Sequence, residues 1–171
     1  MFCFAWRQPG GLLGDTGEPM AAIVYTAPIN RYFGDQAVEL ARLVRRPEVT
    51  QPISEFVAWS LRWLRKNTEL AYCLSYADSG AGHHGGIYQA LSFDYVMLSK
   101  GHSGWRNPTT GETVSSRAFD QRRPGFQDGW QRTKSAPKFL YVKALAERRS
   151  KLLARFGWTP LPYPKPKNGA A

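Results

Sequence analysis

Cysteine is scarce in this chain of 171 residues, with Cys3 and Cys73 the only two. Two thiols exclude a disulfide framework and, by themselves, a thiolate zinc site, and a reducing cytosol is the expected compartment. No apolar run approaches the ~18–20 residues that a membrane span needs. The first residues, Met1-Phe-Cys-Phe-Ala-Trp-Arg, have no positive cluster ahead of a long apolar core, so a secretory signal is not expected. Walker A, HExxH, paired CxxC and GxSxG patterns do not occur, and neither a nucleotide-loop enzyme nor a Ser hydrolase is expected. Histidine is nearly as rare, with three. His83, His84 and His102, with Asp78, could supply metal ligands, but adjacent histidines normally diverge, and no metal site is expected.

Acidic residues are sparse in one half. Residues 1–99 carry 8 Lys+Arg and 9 Asp+Glu, a net of −1, whereas residues 100–171 carry 15 and 4, a net of +11. The basic residues of that half alternate with aromatics, as in Trp105-Arg106, Trp130-Gln-Arg132 and Arg155-Phe-Gly-Trp158. Such a surface can neutralise phosphates while its rings stack on bases, and it fits equally a solvated basic face that keeps the protein soluble. Arg106, Arg117, Arg122, Arg123, Arg132 and Lys134 are the expected nucleic-acid contacts.

With 43% hydrophobic residues, the chain reads as one α/β (α+β) domain over residues 1–159, with a Pro/Lys-rich extended tail at 160–171. Strands are expected at 1–6, 20–26, 38–46, 72–76, 95–99 and 138–143. Helices are expected at 55–66, with Ser54 as N-cap, and at 87–93 and 144–156. Arg45 and Arg46 precede the 55–66 helix, whose start could take a cofactor phosphate. Residues 100–137 read as a long basic excursion.

The stretch around which the rest is arranged is Leu74-Ser-Tyr-Ala-Asp-Ser-Gly-Ala-Gly-His-His-Gly-Gly-Ile-Tyr88. A short buried strand stops at a carboxylate and dissolves into glycines that permit tight paths and close ligand approach. The following helix start could favour an anion. Asp78 and Tyr88 then form a carboxylate–phenol pair suited to group transfer to an amine, the one orienting or deprotonating the nucleophile and the other protonating the leaving group. The same residues also fit a glycine-rich turn with Asp78 as a cap and Tyr88 as a core aromatic.

Ser75-Tyr-Ala-Asp78, Gly82-His83, Gly86-Ile-Tyr88-Gln-Ala90, Glu39-Leu-Ala-Arg-Leu-Val-Arg45, Pro52-Ile-Ser-Glu-Phe56 and Asn107-Pro-Thr-Thr-Gly-Glu112 resemble the Mom family of bacteriophage DNA-modification proteins. The resemblance covers roughly residues 21–165. It implies an acetyltransferase-like (GNAT) fold with a mixed, mostly antiparallel sheet flanked by helices. It further implies conversion of adenine in double-stranded DNA to an N6-carbamoylmethyl form that shields a phage genome from restriction in the host cytoplasm. Asp78 and Tyr88 fall on functional positions of the pattern; Arg42 and Ser54 match its arginine-bearing strand and the serine before its helix. Arg42, Arg45 and Ser54 are the expected cofactor contacts, and a coenzyme A thioester is one candidate for a donor the sequence does not name. The competing readings are an acyltransferase acting on a protein or small amine, and a non-catalytic basic DNA-binding accessory. The family pattern also has an upstream His-Tyr pair that this chain lacks, which suggests either an internal start or a shortened member.

Overall fold

Apolar residues fall on alternate positions of most strands, and each set is claimed by a different helical layer. The computed structural model describes residues 1–7, 17–121 and 128–166. Along them run β1 (Phe2–Arg7), β2 (Pro19–Thr26), β3 (Ala37–Arg45), α1 (Ile53–Asn67), β4 (Tyr72–Asp78), α2 (Gly86–Ala90) and β5 (Asp94–Leu98). Then come β6 (Ser103–Arg106), β7 (Thr113–Ser115), α3 (Ser116–Asp120), β8 (Gln131–Lys134), β9 (Lys138–Ala144) and α4 (Arg149–Phe156). Six strands form the main sheet in the order β1-β2-β3-β4-β9-β5. Only the β3–β4 pairing is parallel; the other pairings of this sheet are antiparallel. The fold is a mixed α+β domain, as expected.

On one face Ile23, Tyr25, Val38, Leu40, Cys73 and Tyr141 pack against Val57, Leu61 and Leu64 of α1. On the other face Tyr72, Leu74, Leu140 and Val142 pack against Leu152 of α4. Full burial of each such aliphatic side chain contributes about 1.5–3 kcal/mol before entropy is counted. The edge strand β1 is held from the side: Phe4 meets Trp59 and Trp63 at ring distances of 5.5 and 5.3 Å, and Trp6 meets Phe56 at 6.0 Å. These contacts clamp an edge strand that has a neighbour on one side only.

Three expectations need correction. Helix α1 starts at Ile53 with Pro52 as N-cap and no side-chain capping bond, so Ser54 lies inside the first turn. Proline supplies an extended entry with its fixed φ, and Ser54, already the second helical residue, is past the position from which a side chain caps. Helix α4 starts at Arg149 rather than at Ala144, because β9 runs on to pair Ala144 with Tyr72 and Leu145 N then donates to Ala71 O. The excursion is built rather than looped: β6, β7 and β8 form a second antiparallel sheet in the order β7-β6-β8. Its stem is pinned where it leaves the main sheet, by Ser99 N to Lys138 O at 2.8 Å and Lys138 N to Ser99 Oγ at 3.0 Å.

Candidate functional site

Strands β3 and β4 pair only from Ala37↔Tyr72 to Glu39↔Leu74 and then part. A register shift between β2 and β3, where Ala41 is the extra residue between Leu40 and Arg42, bends β3 away at this point. The parting opens a slot of about 670 Å³. Leu40 to Leu43 form one wall; Tyr76, Ala77, Asp78 and Lys138 form another; residues 82–88 close the end. This is a ligand-sized cavity at the carboxyl end of a parallel strand pair, where α/β sheets concentrate their sites.

Ser75 sits at the crotch of the fork, fully buried, and does what a ladder bond would have done. Its Oγ donates to Leu40 O at 2.9 Å and lies 2.8 Å from the Tyr88 hydroxyl. Leu40 O can only accept, so Ser75's single proton serves the carbonyl and the phenol donates to Ser75. Burial pushes the Tyr88 phenol above its ordinary value, with the Ser75 hydroxyl opposing. The strand pattern alone marks Ser75 as nothing more than a poor nucleophile, and so gives no sign of this role. The second thiol is equally inert: burial pushes Cys73 up to about 12, so the sulfur stays protonated at neutral pH.

Asp78 and Tyr88 both line the slot, but from opposite faces of the sheet. Tyr88 and Ser75 belong to the α1 and α2 side, where Tyr88 packs on Phe93 and Tyr141 at 5.5 and 5.1 Å. Asp78 follows the other alternation of β4, beside Lys138, whose Nζ lies 3.7 Å from Oδ2. Its Oδ1 accepts from Gly80 N at 2.9 Å and caps the 3-10 turn Ser79–Ala81. The capping role read from the sequence is therefore real, and it leaves the second oxygen to Lys138, which lines the slot beside it.

The end loop is held from behind. Tyr141 Oη donates to His84 O at 2.6 Å, and Gln89 Nε2 donates to His84 O and to Pro164 O at 3.0 and 3.2 Å. Gly85 is buried in the left-handed region, with φ +81°, and a Cβ there would lie 2.3 Å from the Tyr141 ring, so glycine is required twice over. Gly80-Ala-Gly-His-His-Gly85 spells GxGxxG between a strand and a helix. The match is a coincidence and not a dinucleotide loop: β9 intervenes between β4 and β5, and α2 has only five residues. A helix that short also lacks the dipole expected to draw an anion.

Among the expected cofactor contacts, Arg42 lines the slot, while Arg45 and Ser54 stand outside it. Arg45 donates to Gln51 O at 3.3 Å. Arg46 is held by Glu18 and by Glu48, so the approach to α1 is not an open cationic cradle. Pro47 and Pro52 remove two backbone donors from the same loop, and no glycine lies in it. These residues do not fit a pyrophosphate. His83 and His84 share the slot with Asp78, whereas His102 lies on the second sheet. Among the described residues no three His, Cys, Asp or Glu side chains converge as a metal group would need.

Of the expected nucleic-acid contacts, Arg106, Arg117, Arg132 and Lys134 are exposed on the second sheet and its helix. Arg122 and Arg123 lie outside the described residues. The interleaved aromatics are not free to stack on bases. Phe119 and Trp130 are buried; Phe119 stacks on Trp105 at 4.3 Å, with Trp130 edge-on at 5.6 Å. Phe156 and Trp158 stack at 4.3 Å over Tyr72 and Phe33. A small sheet has no other apolar area with which to hold itself together, so its rings become its core. No helix among the described residues is long and apolar enough to cross a membrane.

No curated protein matches this chain. The Mom protein family matches residues 13–165, which takes in the slot, the second sheet and most of the described tail. The chain belongs to the Mom protein family.

Proposed function

We propose that the protein is a phage-type DNA-modifying transferase that places a carbamoylmethyl or other acyl-derived group on the N6 amine of adenine in duplex DNA. Membership of the Mom family supports a role in DNA modification. The observation that carries the finer reading is the slot, lined by Asp78 from one face of the sheet and by Tyr88 from the other. The forked parallel pair within a mostly antiparallel sheet supports the acetyltransferase-like (GNAT) architecture that this chemistry would use.

Opposite placement suits an in-line transfer. The amine enters on the Asp78 side, and a bond forms between N6 and the carbon of the incoming group as the bond from that carbon to the leaving group breaks. Asp78 takes the proton lost by the nitrogen, and Tyr88 turns its hydroxyl proton from Ser75 to the departing atom and delivers it there. Burial keeps the phenol protonated, as a donor must be. Ser75 fixes the position of the phenol oxygen, and Arg42 at the rim is the residue of the three assigned to the donor that the geometry supports. The target amine is paired inside the duplex, so base extrusion accompanies binding at a cost of about a few kcal/mol.

Asp78→Asn and Tyr88→Phe change shape little. Each should preserve folding and DNA affinity while cutting adenine modification by ~10²–10⁴-fold. The measurement is mass spectrometry of nucleosides from DNA of cells expressing each variant. Unmodified adenine with the unaltered protein would leave only a DNA-binding accessory.

A further inference from the structure

The second sheet has two unlike faces. Its Trp105 face is covered by Phe119 of α3, with the Arg132 guanidinium 5.3 Å above the indole. The other face centres on the cross-strand neighbours Gly104, Ser115 and Thr133 and carries a groove of about 330 Å³. Gly104 has no room for a side chain, since a Cβ would lie 2.6 Å from Val114 O, so the groove floor is backbone.

The chemistry of this groove is one-sided. Hydroxyls line it, His102 and Lys134 stand at its end, and no carboxylate takes part. Ser115 Oγ already accepts from Ala118 N, and Ser135 Oγ from His102 N, so both hydroxyl protons remain to be donated outward. Arg106, on the same alternation of its strand as Gly104, and Lys134 have no ion-pair partner among the described residues, whereas Arg46, Arg149 and Arg155 are paired. Unspent donors, unneutralised cations and an absence of carboxylates are the recognition chemistry of a phosphodiester chain.

We propose that this hydroxyl-lined face of the second sheet grips the sugar–phosphate backbone of duplex DNA, and that the sheet is a docking module independent of base sequence. The proposal rests on the DNA-modifying reading and adds the surface. It also reassigns the aromatics of the basic half from base stacking to support of that surface.

The test is the affinity of the full chain for a fluorescent duplex across a salt series. Arg106→Ala with Lys134→Ala should flatten the log–log salt slope by about 0.9 for each phosphate that is no longer neutralised. Thr133→Val should weaken binding several-fold with the slope unchanged, because a neutral donor releases no counterion. Arg62→Ala with Arg65→Ala, the same charge change on exposed α1, should leave both quantities near those of the unaltered protein. Thr133→Glu, which sets a carboxylate on the groove floor, should abolish binding at moderate salt. A flatter slope in the α1 pair with no change in the Arg106 and Lys134 pair would overturn the surface while leaving DNA modification intact. An unaltered protein that fails to bind duplex at low salt would overturn both.

Discussion

Tyr88 is a phenol in a buried setting with one polar neighbour, and its titration reports directly on the site. The shift is upward, so the neutral phenol's advantage in the folded state is fully present below the ordinary value of ~10 and is lost as pH rises through the raised one. A difference absorbance titration of the unaltered protein against Tyr88→Phe should therefore place this ionisation above ~10. Ser75→Ala removes the hydroxyl that would turn to the phenolate, and should move it higher still; a Tyr88 ionisation at or below that of an exposed tyrosine would contradict the buried donor. Asp78, Tyr88 and the glycines between them stand out from residue type and spacing, and Asp78, Gly82, Gly85, Gly86 and Tyr88 line one slot. Ser75 does not stand out, because nothing in a strand pattern tells a hydroxyl bridging two diverging strands from one that merely fills a buried position.

Short elements are where sequence and structure part most. β6, β7 and β8 are three or four residues long and mostly polar, so their periodicity is too brief to register, and pairing between strands makes them. Their support is the Trp105, Phe119 and Trp130 cluster. Truncating a buried phenylalanine costs about 3–5 kcal/mol, more than a sheet this small can spare. In Phe119→Ala, amides of residues 103–134 should lose hydrogen-exchange protection while those of β4 and β9 keep theirs. DNA affinity should fall along with it. An even fall in protection throughout the protein would mean that the second sheet is not a separate cooperative unit. Long elements were the easier case: α1 and β4 lie close to where apolar spacing puts them, since each buries a whole face.

At the scale of the molecule, the proline-rich segment is part of the slot's frame. Leu161 N donates to Tyr95 O at 2.7 Å, Tyr163 Oη donates to Phe93 O at 2.8 Å, and Pro166 lines the slot. Removing residues 160–171 deletes two such bonds and the Pro164 carbonyl that Gln89 holds. At about 1 kcal/mol per bond the cost is on the order of 2–3 kcal/mol, or a Tm lower by roughly 4–12 °C. Modification of adenine should fall further than stability accounts for, because the loop 82–86 loses one of its braces. Full activity at unchanged Tm would show the segment to be a mere appendage.

The sequence alone determined the class of fold, the central strand ending at Asp78, the Mom resemblance and the basic half. Each rests on local residue type or on periodicity that one element can display by itself. Tertiary structure decided what depends on two distant segments meeting. The fork of β3 from β4 makes the slot, and the alternation of β4 sends Asp78 and Tyr88 to opposite faces of it. Packing of α3 on β6 turns Trp105 and Phe119 from candidate base-stacking rings into a core. Which neighbour a ring or a carboxylate meets is a property of strand register and crossing, and residues far apart in the chain carry no local record of it.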